Sequence, residues 1–139
     1  MPSVTLVCGG ALALLLTLLG LNVSRVRMQL KVFVDPATPP RRLYAAVRAH
    51  GNLAEWAPML VLLLLMLELS GAPRTPLWGA GLTLLAARAL HALGLLTRVP
   101  TTPVGAAGTW AVALWLGGWA VARGLGLAST WGRALPVPY

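Results

Sequence analysis

From Met1 to Ser24 the chain carries no charged side chain, and residues 4–24 are apolar enough to cross about 30 Å of hydrocarbon. Three more apolar runs follow, over about 43–70, 77–96 and 104–122, set apart by segments rich in proline and arginine. A chain with four such runs has few folds open to it. Lipid accepts apolar side chains but leaves backbone N–H and C=O groups to be paired internally, which restricts spanning segments to helices and closed barrels. Barrel strands alternate in polarity, whereas these runs are continuous Leu, Val and Ala. The expected architecture is all-α, a single domain over 1–139 built as a bundle of four transmembrane helices in a lipid bilayer. A cleaved signal peptide is the rival for the first run, but no basic segment precedes it and no small-residue cleavage site ends it.

Composition agrees, with 58% hydrophobic and 10% charged residues and a mean hydropathy of +0.77. Eleven Lys and Arg face only Asp35, Glu55 and Glu68, a net +8 that would suggest nucleic acid as the partner of a soluble protein. In a membrane chain, two other causes compete. Cations flanking a span set its orientation, and cations within a bundle hold anionic ligands. No nucleic-acid partner is therefore expected.

The segment from Arg25 to Arg42 reads as a loop, with Asp35-Pro36 and Pro39-Pro40 as its markers, and carries Arg25, Arg27, Lys31, Arg41 and Arg42. The next turn, through Pro73 and Pro76, has only Arg74, and the third, through Pro100 and Pro103, has Arg98. The positive-inside rule then puts the first and third loops in the cytosol and both termini outside. Arg123, Arg133, Pro136 and Pro138 belong to the outer tail, and Trp78 and Trp131 suit the outer interface. Pro58 is a candidate kink in the second helix.

Within the second run Arg48, Asn52 and Glu55 stand at i, i+4 and i+7, within about 60° of arc on one helix face. Arg88 and His91, at i and i+3, share a face of the third. All five fall in the half of the bundle near the first and third loops. Ionisable residues inside a span are costly and usually face the interior in pairs. Arg48 and Glu55 read equally as an ion pair fixing the register, and Arg27 and Arg88 as side chains snorkelling to the interface. Anchoring does not require Asn52, Glu55 and His91 as well, so the cluster points to a site. Arginine forks and one carboxylate suit a small zwitterion with more than one acid group, of which glutathione is an example among other anions.

Other features take structural readings. His50 is turned away from the Arg48 stripe, and Cys8 is a small packing residue with no base beside it. No metal-ligand cluster is present in the sequence pattern. Glu68 pairs with Arg74 or is hydrated. The ladder Gly105, Thr109, Ala113 and Gly117 permits close helix packing, read here as contact within the subunit with contact between subunits as the alternative, and Trp110, Trp115 and Trp119 face lipid or pack.

The segment from Arg48 to Pro58, Arg-Ala-His-Gly-Asn-Leu-Ala-Glu-Trp-Ala-Pro, resembles the signature of the MAPEG family, membrane-associated proteins in eicosanoid and glutathione metabolism. Val26-Arg27, Asp35-Pro36, the run Arg88 to Gly94 and the four-helix layout extend the resemblance over nearly the whole chain, in the shorter form seen in bacterial-type members. It implies a homotrimer holding glutathione as co-substrate between subunits near the cytosolic face, with transferase or peroxidase chemistry on a lipophilic small molecule. By motif position Arg27, Asn52, Glu55 and His91 would contact glutathione, with Arg48 and Arg88 supporting them through ion pairs. The bacterial inner membrane is the implied location.

Two positions depart from that pattern. Gly51 stands where the best-known animal enzymes have an Arg, and Leu95 where they carry a Tyr. The Arg and Tyr that such enzymes place early in the fourth helix have no counterparts between Thr101 and Trp110, so Arg98 is the nearest cation for a catalytic part. Without a donor at the sulfur, a thiol of pKa about 8.5 stays mostly protonated at neutral pH. Two readings stay open: a glutathione-binding enzyme, and a non-catalytic membrane protein whose polar cluster serves assembly or passes a small solute.

Overall fold

The computed structural model describes residues 1–34 and 36–134, with side chains through Gly126. Asp35, Pro136, Pro138 and the side chains of Trp131 and Arg133 lie outside the described residues. Four helices follow in order, α1 (Ser3–Leu30), α2 (Arg41–Leu69), α3 (Arg74–Thr97) and α4 (Thr102–Ala134). Each is long and apolar enough to cross a membrane, with α4 qualifying over Thr102–Gly126. The short connections make neighbours antiparallel. α2 and α3 form the centre, each touching the other three helices, while among the described residues α1 and α4 do not meet.

One core runs through the bundle, from Val4, Cys8 and Leu12 of α1 through Leu53, Leu60 and Leu64 of α2 and Leu77 and Leu84 of α3 to Val112 and Leu116 of α4. The outward faces remain apolar, with Leu14, Leu18, Leu62, Met66 and Leu114 exposed, as suits side chains meeting lipid.

Helix ends differ from the sequence expectation, and packing explains why. α1 does not stop near Ser24 but continues to Leu30, because Val23, Val26 and Leu30 form an inward row against Leu43 and Ala46 of α2. Lys31, in the left-handed conformation, ends it, its N–H donating to the Met28 carbonyl and that of Val32 to the Arg27 carbonyl. Pro76 and Pro103 are not breakers. They sit in the first turns of α3 and α4, where an N–H would have no helical partner in any case. α2 runs on through Pro58. α4 extends well beyond the expected Ala122.

Two polar clamps close the end away from the basic loop. Glu68, near the end of α2, accepts from the backbone N–H groups of Val4 (2.9 Å) and Thr5 (2.8 Å) and from the Thr5 hydroxyl (2.8 Å). It therefore caps α1 across the helix interface, a task its sequence position did not disclose, and its carboxylate sits where the α1 dipole favours an anion. Arg123 of α4 donates to the Ser70 carbonyl at 2.7 Å, closing the α2 terminus.

At the opposite end α3 and α4 approach closely through two glycines. A Cβ on Gly94 would overlap Thr102, and one on Gly105 would lie 2.5 Å from both the Ala87 carbonyl oxygen and the His91 nitrogen. The first steps of the small-residue ladder thus serve contact within the subunit, whereas a Cβ on Gly117 would meet nothing within 4 Å. Gly105→Ala should lower stability by about 1–3 kcal/mol through overpacking, and Gly117→Ala should not. Thermal unfolding of the detergent-purified variants checks the contrast.

Candidate functional site

Arg88 organises the interior near the basic end. It lies on α3 about 14 Å from Thr97, given a 1.5 Å rise per residue. Only 2% of its surface is exposed. Its guanidinium donates to Asn52 Oδ1 on α2 through Nη2 and to Thr109 Oγ1 on α4 through Nη1, at 3.2 Å. The Thr109 hydroxyl in turn donates a hydrogen bond to the Gly105 carbonyl at 2.8 Å. One cation thereby ties three helices together. Snorkelling does not describe it, since the side chain points into the bundle. Its hydrogen-bond partners are neutral, while Glu55 is near enough for its charge to be felt at the guanidinium. Its Nε is buried with no hydrogen-bond partner among the described residues.

His91, one turn along on the same face of α3, is also buried. Its Nδ1 lies 3.1 Å from the Thr102 carbonyl. A carbonyl only accepts, so Nδ1 carries the proton and Nε2 is the ring's free acceptor in the neutral form. The fields of Arg88 and Arg48 both reach this ring.

The Arg48, Asn52 and Glu55 stripe lies on the flank of α2 beside its buried row of Ala49, Leu53, Ala57 and Leu60. Asn52 is half-buried and turned to Arg88, whereas Arg48 and Glu55 are exposed on the single chain. Arg27 is half-buried in the last turn of α1. Arg98 is exposed and left-handed at the end of α3. Thus Arg88 and Asn52 touch, and His91, Arg48 and Glu55 stand within electrostatic reach of Arg88 or of one another. His50 packs its ring against Gly20 of α1, a structural position. Cys8 is buried against Gly81 and is a core residue. Leu95 packs against the main core.

From Glu55 an apolar groove of about 540 Å³ runs between α2 and α4, lined by Trp56, Met59, Leu60, Leu63 and Ala113. A second groove of about 440 Å³, lined by Trp56, Trp110, Ala113 and Leu114, adjoins it. A carboxylate at the mouth of a lipid-facing groove places one polar group beside a surface suited to a lipophilic molecule. Among the described residues no three His, Cys, Asp or Glu side chains gather where they could hold a metal ion.

Thr109 escaped the sequence reading because it was counted as a small packing residue. Its hydroxyl, on the ladder step facing α3, was the available signal. Replacing Asn52 by Leu should destabilise the bundle by about 1.5–3 kcal/mol, since a charge-assisted hydrogen bond is lost from a buried cation, and Thr109→Val by about 1 kcal/mol. Unchanged melting of both variants in detergent would show that the guanidinium does not depend on them.

A sequence model of the MAPEG family matches residues 5–122, most of the chain. The inner membrane protein YecN of Escherichia coli K12 is 36% identical over 87 residues, covering 63% of this chain and 66% of that relative. YecN of E. coli O6:H1 matches to the same extent. The matched segment thus falls just short of two thirds of the relatives' own length. A match over 5–122, joined to four apolar spans and to the Arg48–Pro58 signature on α2, establishes this chain as a member of the MAPEG family.

Proposed function

We propose that the protein is a homotrimer of the bacterial inner membrane that binds reduced glutathione at the boundary between subunits and presents it to lipophilic electrophiles as a transferase or peroxidase. Both termini lie outside, and the site opens near the cytosolic face. Membership of the family supports this reading, as does the excess of cations in the first loop.

The observation that carries it is the exposure of Glu55. This carboxylate lies about 21 Å along α2 from Arg41, at membrane depth, and faces out of the single chain. An acid left facing hydrocarbon there costs about 2.5–3.5 kcal/mol. A neighbouring copy and a bound zwitterion remove that cost together, the copy excluding lipid and the ligand's amine pairing with the acid. Arg48, exposed on the same flank, and Arg27 supply forks for the ligand's carboxylates. Asn52, held by Arg88, and His91, held by Thr102, are preset to bond its backbone. The groove leading from Glu55 along Trp56 and Met59 takes the lipophilic partner.

The second reading, a non-catalytic protein whose polar cluster serves assembly, draws on the Arg88 network, which binds three helices of one chain and would exist without a ligand. The two differ at Glu55 and Arg27. Glu55→Ala and Arg27→Ala should each weaken binding of labelled reduced glutathione by about tenfold or more, or about 1.4 kcal/mol, while leaving the oligomer intact on native gels. Loss of the oligomer with no separate effect on the thiol would favour the assembly reading, and wild-type binding by both variants would remove these residues from the site.

A further inference from the structure

A second polar concavity lies at the basic end, apart from the Arg88 network. It occupies about 200 Å³ between the end of α1, the start of α2 and the end of α3, and is lined by Asn22, Val26, Arg41, Arg42, Ala45 and Leu96. None of the residues assigned to thiol binding contributes to it. Arg42 is oriented by a hydrogen bond to Gln29 Oε1 at 3.1 Å, which fixes it on the α1 side of the cleft, and Arg41 is exposed beside it.

The lining is graded in polarity. Arg41 and Arg42 open α2, where the chain enters the membrane. Asn22 lies about one helical turn before Arg25 on α1, at the edge of the apolar span. Its side chain is half-buried. A half-buried amide at the edge of the span suits an acceptor at ester depth, and a cation pair at the mouth attracts an anion. Topology alone would be served by cations anywhere in the first loop, and does not call for an amide below them or a cleft between.

We propose that this cleft binds the headgroup of an anionic phospholipid from the leaflet at the basic end. The phosphodiester oxygens accept from the Arg41 and Arg42 guanidinium groups, an ester carbonyl accepts from the Asn22 amide, and the upper acyl chain lies on Val26, Ala45 and Leu96. A two-point contact of guanidinium forks with phosphate, followed by an amide at ester depth, fits a glycerophospholipid better than free phosphate, which offers nothing to Asn22.

The test is native mass spectrometry of the detergent-purified protein titrated with phosphatidylglycerol, with phosphatidylcholine and inorganic phosphate in parallel. The wild-type chain should retain phosphatidylglycerol in preference to phosphatidylcholine, and excess inorganic phosphate should not displace it. Arg41→Gln with Arg42→Gln should weaken retention by roughly thirtyfold, the product of about fivefold for each cation. Leu96→Trp, which fills the cleft and keeps every charge, should also weaken it, while Arg25→Gln with Lys31→Gln should have little effect. Equal retention of the two lipids, displacement by phosphate, or a Leu96→Trp protein that binds as the wild type does would overturn the proposal. So would equal losses in the two double variants, which would reduce the effect to net charge.

Discussion

A guanidinium buried at membrane depth has to be satisfied where it stands, and the way Arg88 is satisfied sets much of the arrangement around it. Its two bonds go to different helices, Asn52 on α2 and Thr109 on α4, so α2, α3 and α4 are fixed relative to one another by a single side chain. Removing either acceptor strands a charge in a low-dielectric interior, and register therefore matters more here than among the interchangeable leucines elsewhere. The close approach that brings Thr109 within reach depends on Gly105, where α4 lies against the backbone of α3.

The same constraint links packing to chemistry. With Asn52 held inward by Arg88, the remaining members of its stripe, Arg48 and Glu55, point out along the flank. His91 follows Arg88 by one turn and has its tautomer set by the Thr102 carbonyl at the start of α4. The interior network thus orients both Asn52 and His91. The opposite end of the bundle is closed by Glu68 on the α1 terminus and Arg123 on the α2 terminus. Clamps at that end leave the polar cluster and the basic cleft at the other.

The number and type of spans were legible because lipid imposes a strict length and polarity on any segment that crosses it. Their ends were less so. Residues 25–30 read as loop by charge, yet Val23, Val26 and Leu30 made an inward helical row whose partners, Leu43 and Ala46, are identified only once α2 is folded against it. Pro76 and Pro103 read as parts of the connections because a proline's effect depends on which turn it occupies. In the site, the periodicity of Arg48, Asn52 and Glu55 located the stripe, but not that its middle member turns inward while the outer two face away. The snorkelling reading for Arg88 failed because its partners sit on other helices, and Glu68 was passed over because capping across a helix interface leaves no local pattern. Gly51 and Leu95 were legible as departures from the family pattern, and Leu95 packs against the core.

Whether this constellation holds a thiol is read most directly by a calorimetric titration of the purified protein with reduced glutathione, run beside an ultraviolet difference spectrum that reports thiolate. Saturable heat is expected, with a thiolate band where the assembled site also activates the sulfur. An absence of heat from an intact oligomer would contradict it, leaving the buried arginine and its neighbours as a device of assembly alone.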